Sequence, residues 1–373
     1  MNAKRIAFDA KRAFHNTSGL GNYGRDLIRL VHKALPESNL YLMDPEPERE
    51  SAFHIDSQKV IRKGPSKFLH NQLSSYWRTR GMVDDLKGLD IQIFHGLSNE
   101  LPRGLHGAGI KSVVTLHDLI FERYPHWYPL VDRKIYRYKS QHAVKAADRI
   151  IAISEQTADD LVTFYNVPRE KIRVIYQGCH SAFKQTLGLA ARRELREKFN
   201  LPERFVLNVG TVEPRKNAHI IAEALKDHPG VPLVIIGRPT PKYFSRVREA
   251  LGPETPFIHL QGMTMEEVAG IYQLADLFVY PSTFEGFGIP IIEALFSHTP
   301  VITTSGGCFA EAGGPFSKYV PAGDVKALSQ AIGDIWNHQE TAQKMVSEGW
   351  EFVQKFRDDV LLNDVLSVYE ELL

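Results

Sequence analysis

Short, almost wholly apolar runs separated by amphipathic segments predict an α/β chain made of two parallel-sheet halves. Three observations carry that prediction. The runs are of strand length and continuous rather than alternating, as expected of strands covered on both faces. Five such runs occur in each half of the 373 residues. The length, with 43% hydrophobic and 24% charged residues, suits about two globular domains with ample core.

In the first half the runs are Ile6-Ala7-Phe8, Leu40-Tyr41-Leu42-Met43, Ile91-Gln92-Ile93-Phe94, Val113-Val114-Thr115-Leu116 and Ile150-Ile151-Ala152-Ile153. The second half shows Phe205 to Val209, Leu233 to Ile236, Ile258-His259-Leu260, Leu277-Phe278-Val279-Tyr280 and Val301-Ile302-Thr303. Helical segments lie between them, for example Thr264 to Gln273, and Ser154 has the chemistry of a helix N-cap. The halves part between Gly178 and Leu201, where a charged stretch begins. A last helix from about Asp358 carries Leu361, Leu362, Val365, Val368 and Leu372 at helical spacing. In folds of this class ligands bind beyond the carboxyl ends of the strands.

Charge is spread unevenly. Residues 1–180 hold 27 Lys+Arg against 20 Asp+Glu, and the remainder 18 against 24. A basic first half of this kind is a candidate face for an anionic surface, so a peripheral membrane contact is an expectation. No run reaches the ~18 apolar residues of a membrane span. Met1-Asn2-Ala3-Lys4-Arg5 contains no apolar leader core, which favours a cytoplasmic setting. The two cysteines, Cys179 and Cys308, have no metal-ligand spacing and read as thiols. Nucleic acid is not an expected partner.

The chemistry concentrates where strands end. After Leu277–Tyr280 comes Phe284-Glu285-Gly286-Phe287-Gly288-Ile289-Pro290, with Glu293 on the helix that Pro290 opens. The exposed amides of such a helix end attract phosphate, and an acid beside them is useful if it accepts bonds from sugar or ribose hydroxyls. After Phe205–Val209 comes Gly210-Thr211-Val212-Glu213-Pro214-Arg215-Lys216-Asn217, whose adjacent cations suit a diphosphate leaving group. His117 follows Val113–Leu116, and His95 ends the strand before it.

These stretches resemble, as an ordered set, the family-four retaining glycosyltransferases. The first matches that family's E-x7-E signature, the second its donor-phosphate loop, and Thr115-Leu116-His117-Asp118-Leu119 its histidine segment. Ser18-Gly19-Leu20-Gly21-Asn22-Tyr23 is similar to its glycine-rich loop. The resemblance implies a GT-B fold: two Rossmann-like domains whose parallel sheets face each other across a cleft. The expected divisions are an acceptor domain over 1–180, a donor domain over 181–355, and a helix over 356–373 that crosses back to the first domain. It further implies transfer of a hexose from a nucleotide diphosphate sugar, without bound metal or cofactor, to a glycan or lipid-linked acceptor. Mannose is the favoured sugar because of the Glu-Pro-Arg-Lys-Asn loop.

In that reading His117, Glu285, Lys216 and Arg215 are catalytic. Gly19, Gly21, Gly286, Phe287, Gly288 and Glu293 meet the donor, while Gly237 and Met263 border its base and His95 faces the acceptor. Many members place an arginine where this chain has Thr211, so Arg215 is expected to substitute. Two other readings remain open. Gly19 to Gly24 also satisfies the dinucleotide G-x-G-x-x-G, with Asp44 some way beyond, as in a nicotinamide-dependent oxidoreductase. A catalytically inactive sugar-nucleotide binder is the other.

Overall fold

The strands of the computed structural model, which describes residues 3–16, 19–51, 53–66 and 74–373, fall into two sheets in which every recorded pairing is parallel. The chain divides into two units. Met1–Gln177 with Asp358–Leu373 forms the first, and Gly178–Arg357 the second.

The first sheet contains β1 (Arg5–Asp9), β2 (Asn39–Met43), β3 (Val60–Lys63), β4 (Ile93–Gly96), β5 (Lys111–Leu116), β6 (Arg149–Ala152) and β7 (Ile172–Val174), in the order β3-β2-β1-β4-β5-β6-β7. Neighbouring residues on one strand go to opposite faces. Phe94, Val114 and Ile150 join the cluster with Met82 and Leu86. Ile93, Val113 and Ile151 join the cluster with Phe8 and Ile28. This two-sided burial is why the runs are continuously apolar. The final helix, Asp358–Glu370, inserts Val365, Val368 and Tyr369 into the second of these clusters.

The second sheet contains β8 (Val206–Val209), β9 (Leu233–Ile236), β10 (Phe257–Leu260), β11 (Leu277–Tyr280), β12 (Val301–Thr304) and β13 (Lys318–Val320), in the order β10-β9-β8-β11-β12-β13. The strand order reverses between β1 and β4 in the first unit, and between β8 and β11 in the second. In open parallel sheets such reversals leave a crevice at the carboxyl ends. The strands absent from the apolar runs named above, β3, β7 and β13, lie at sheet edges and are short or carry charged or half-buried residues, so no continuous apolar run announces them.

Local chemistry sets several helix starts. Ser154 Oγ accepts the Thr157 amide at 3.0 Å, as its residue type predicted. Thr264 and Glu267 form a reciprocal capping box that opens Met265–Tyr272.

One expectation needs correcting. Gly19 to Tyr23 is not a loop but the start of the helix Gly19–Ala34. Gly21 is required there because a Cβ would lie 1.9 Å from the Asn16 carbonyl oxygen. Ser18 lies outside the described residues. Trp77 and Arg78 turn inward. Trp77 is wholly buried and donates to Asp85 at 2.6 Å, while Arg78 pairs with Asp9 at 2.6 Å and Glu100 at 3.2 Å.

Candidate active site

At the reversal point of the second sheet, the loops after β8 and β11 meet through a charged cluster. Glu285 sits in the β11 loop, its side chain only 12% exposed. One carboxylate oxygen accepts from Ser282 at 2.6 Å, from Tyr280 at 3.0 Å and from the Lys216 ammonium. The other lies 2.7 Å from Arg215. Burial alone would raise this carboxyl's pKa, but Lys216 and then Arg215 hold it down, to about 2. It is therefore ionised at neutral pH, matched by two cations.

Each cation is positioned by more than the carboxylate. Arg215 and Lys216 lie on a single 3₁₀ turn, Pro214–Lys216, which ends at Asn217 with φ +54°. Arg215 donates to the Phe284 carbonyl at 2.8 Å and to Glu213 at 2.9 Å. Lys216 donates to the Tyr280 hydroxyl at 2.5 Å. An ammonium has three donors, so Lys216 retains one that no described residue occupies.

The helix Ile289–Phe296 begins immediately beyond, with Gly288 at φ +115° as its N-cap and Pro290 in its first turn. A side chain is strained at that φ. The ring of Phe287 is buried against Phe356, centroids 5.4 Å apart, which leaves its backbone for the contact expected of this loop. Glu293, one turn into the helix, is 8% exposed, and Tyr272 is its hydrogen-bond partner, at 3.2 Å. With no cation beside it among the described residues, burial raises its carboxyl to about 7, and the Tyr272 bond offsets this only in part.

The adjacent strand ends continue the same edge. Gly237 follows β9, and a Cβ there would lie 2.0 Å from the Gly210 carbonyl oxygen, so the backbones after β8 and β9 touch. Met263, half-buried, follows β10. On the other side Cys308, after β12, lies 3.2 Å through its sulfur from the Glu285 carbonyl. Tyr280, Ser282 and Tyr272 were given no role from sequence, and Cys308 was read only as a thiol; for Tyr280 and Ser282 the available signal was their place at the end of β11.

In the first unit the histidines are set differently. His117 Nε2 donates to the Leu97 carbonyl at 2.8 Å, and Nδ1 accepts from Gln177 at 3.0 Å. Tyr23, from the glycine-rich helix, stands edge-on to the ring at 4.8 Å. Burial lowers His117 to about 4, so it is neutral at neutral pH. Both ring nitrogens are thus engaged by the protein itself.

His95 is a correction. It is fully buried, with Nδ1 bonded to Tyr369 at 2.7 Å and Nε2 to Thr115 at 2.9 Å. Burial lowers it to about 3. It has no surface with which to touch an acceptor. The rival dinucleotide reading also loses its acid. Asp44 is wholly buried and held by His15 at 2.9 Å and by Arg62 at 2.9 Å, which leaves no carboxylate for a ribose.

Comparison with known proteins agrees with this architecture. A family model described as Glycosyltransferase Family 4 matches residues 17–183. A second, described as Glycosyl transferases group 1, matches residues 191–351. O-antigen chain mannosyltransferase B of Escherichia coli is 26% identical, the alignment covering 91% of this chain and 93% of the relative. O-antigen chain mannosyltransferase RfbU of Salmonella typhimurium is 30% identical over 60% of this chain and 61% of its own. Among solved structures, a glycosyltransferase from Rickettsia africae superposes with TM-score 0.77 at 18% identity, covering 100% of this chain and 99% of its own. The Anabaena protein HepE in complex with UDP gives TM-score 0.75 at 15% identity, covering 99% and 100%. With a model matched to each half, the chain belongs to the family 4 and group 1 glycosyltransferases of GT-B fold.

Proposed function

We propose that the chain transfers a hexose, preferentially mannose, from a nucleotide diphosphate sugar to a hydroxyl of a glycan or lipid-linked acceptor, with retention at the anomeric carbon. One observation carries this reading: the Arg215–Glu285–Lys216 cluster at the sheet's reversal point, beside the amides of Ile289–Phe296. Two cations next to a helix N-terminus suit a diphosphate. A carboxylate held ionised among hydroxyls and cations suits a sugar hydroxyl. The preference for mannose is supported by the two O-antigen mannosyltransferase relatives. A cytoplasmic setting, where activated sugars are made, accompanies the reading.

In this scheme the bond between the anomeric carbon and the diphosphate oxygen breaks as the acceptor oxygen bonds to that carbon on the same face. The diphosphate leaves with the electron pair, met by Arg215 and by the uncommitted donor of Lys216. The acceptor's proton passes to a departing phosphate oxygen. Glu285 orients the sugar, and Glu293 accepts from the ribose. His117, neutral and with both ring nitrogens bonded, shapes the first unit's contribution without exchanging a proton. No bound metal takes part.

Purified protein supplied with an acceptor and, in turn, GDP-, UDP- and dTDP-sugars provides the test. Release of nucleoside diphosphate should be fastest from GDP-mannose, and NMR of the product should show the donor's anomeric configuration. Nucleotide binding without release from any sugar would make the protein an inactive binder. An inverted product would overturn the retaining mechanism.

A further inference from the structure

We infer that a groove on the second unit is a glycan-binding site apart from the site of reaction, one that grips a hexose unit of a long acceptor. The inference rests on the reading of the chain as a transferase that extends a glycan. The groove has a volume of about 490 Å³ and lies between the helix Gln339–Val353 and the residues that lead into β11 and β12. Ala275 and Asp276 precede β11 and Pro300 precedes β12, so it opens at the amino ends of these strands, whereas Glu285 follows the carboxyl end of β11.

The helix presents two rows to the groove. Ala342, Val346 and Trp350 recur at every fourth position, and so do Gln343, Ser347 and Glu351. Residues four apart lie one above the other on a helix, so an apolar row runs beside a polar one for about 12 Å. Trp350 is 36% exposed. The ring of His298 lies nearly parallel to it, centroids 5.7 Å apart and planes 11° apart. His298 holds φ +58°, a costly conformation for a residue other than glycine. Among the described residues, no hydrogen bond engages the Trp350 indole N–H, the His298 ring, the Gln343 amide or the Glu351 carboxylate.

That combination selects the occupant. A pyranose has apolar C–H faces and a rim of hydroxyls that donate and accept, which matches ring faces beside free amide, carboxylate and indole groups. Among the described residues that line the groove there is no lysine or arginine, which argues against a nucleotide or another phosphate. Asp276 is already committed to Arg204 at 2.9 Å and to the Phe205 amide at 3.0 Å, so Glu351 is the acid open to a hydroxyl. A chain gripped here keeps its reacting end at high effective concentration, a benefit for long acceptors and none for short ones.

Fluorotryptophan labelling of the full chain provides the test, the Trp350 fluorine resonance being assigned by its loss in Trp350→Phe. α-Mannotetraose, added without donor, should shift that resonance saturably, and GDP should leave it in place. Trp350→Ala should raise KM for a long mannan acceptor about tenfold, a loss typical of removing a large ring from a contact. Glu351→Ala, at an exposed position, should raise it in the same direction. Both variants should keep the wild-type KM for mannobiose and the wild-type rate of nucleotide release with it. A Trp350 resonance unmoved by the glycan would overturn the inference, as would equal KM changes for long and short acceptors. So would a wild-type dimer that Trp350→Ala dissolves, which would give the groove to a second copy. A shifted resonance in a protein that extends no mannan would leave this site standing and remove the transferase reading; extension with a fixed resonance would do the reverse.

Discussion

The same kind of place, the carboxyl end of a parallel sheet, is electrostatically opposite in the two units. In the second, Glu285 is kept ionised by Lys216 and Arg215. In the first, His117 and His95 are kept neutral by burial, each with both ring nitrogens bonded. The Glu285 cluster holds charge at its strand end, while the two histidines withhold it at theirs, and the first unit's Asp9 and Asp44 are already paired with Arg78 and Arg62. The difference shows that a titratable residue at a strand end is not by itself a site. What matters is whether its charge is compensated by groups with bonding capacity left over, as in Lys216, or suppressed by a closed set of partners, as in His95.

That contrast can be broken most directly at Lys216. Removing a cation that meets a departing diphosphate typically costs about 2–4 kcal/mol of transition-state stabilisation. Lys216→Ala should therefore lower kcat roughly 30-fold or more in steady-state assays, with some loss of stability because Glu285 then keeps only Arg215 as counter-charge. Near-normal turnover would move the charged centre elsewhere.

The first unit should answer in the opposite way. Tyr369→Phe leaves one buried nitrogen of His95 without a partner, a loss of about 1–3 kcal/mol in stability. Denaturant unfolding should register that loss while kcat stays nearly unchanged. A fall in kcat without loss of stability would show that the histidine network serves the reaction.

Within the proposed donor site the contrast is repeated between two acids eight positions apart. Glu285 is lowered to about 2, so its contribution to stability is complete above the ordinary carboxylate range and is lost as pH falls from there toward 2. Glu293 is raised to about 7, so the folded state favours its protonated form, and stability declines as pH rises from the carboxylate range to about 7. A carboxylate accepts two ribose hydroxyls better than the neutral acid does, so donor KM should fall severalfold as pH passes through about 7. Glu293→Gln should flatten that dependence; a KM profile identical in both proteins would remove Glu293 from donor binding.

The smallest effect expected is none. If Arg215 and Lys216 neutralise the diphosphate, exhaustive EDTA treatment should leave the transfer rate unaltered. Abolition by EDTA with recovery on Mg²⁺ or Mn²⁺ would show that protein cations alone do not suffice.

Much of the framework is visible in the residues because burial on both faces writes itself as continuous apolar runs: β1, β5, β9, β11 and β12 could all be read in this way. The loops that carry Arg215, Lys216 and Glu285 were legible as turn chemistry after such runs, and the structure brings these three side chains into contact. Other features depend on partners remote in sequence. His95 and His117 look alike beside their strands, and only Tyr369, 274 positions away, shows that His95 is sealed. The segment from Gly19 reads as a loop because glycine is a poor helix former. It is helical because Gly21 allows the chain to pass against the Asn16 carbonyl, a tertiary demand with no local sign.

The last helix belongs to the first unit although the whole second unit precedes it in the chain. On the ribosome, therefore, the order of synthesis is not the order of completion. Phe8 and Ile28 emerge early, but their cluster lacks Val365, Val368 and Tyr369 until the helix Asp358–Glu370 has been made. Gly178–Arg357, being continuous, can close its sheet first. The first unit must wait with part of its apolar face uncovered and His95 Nδ1 without Tyr369. A nascent chain halted just before Asp358 is thus the form of this protein most in need of a chaperone.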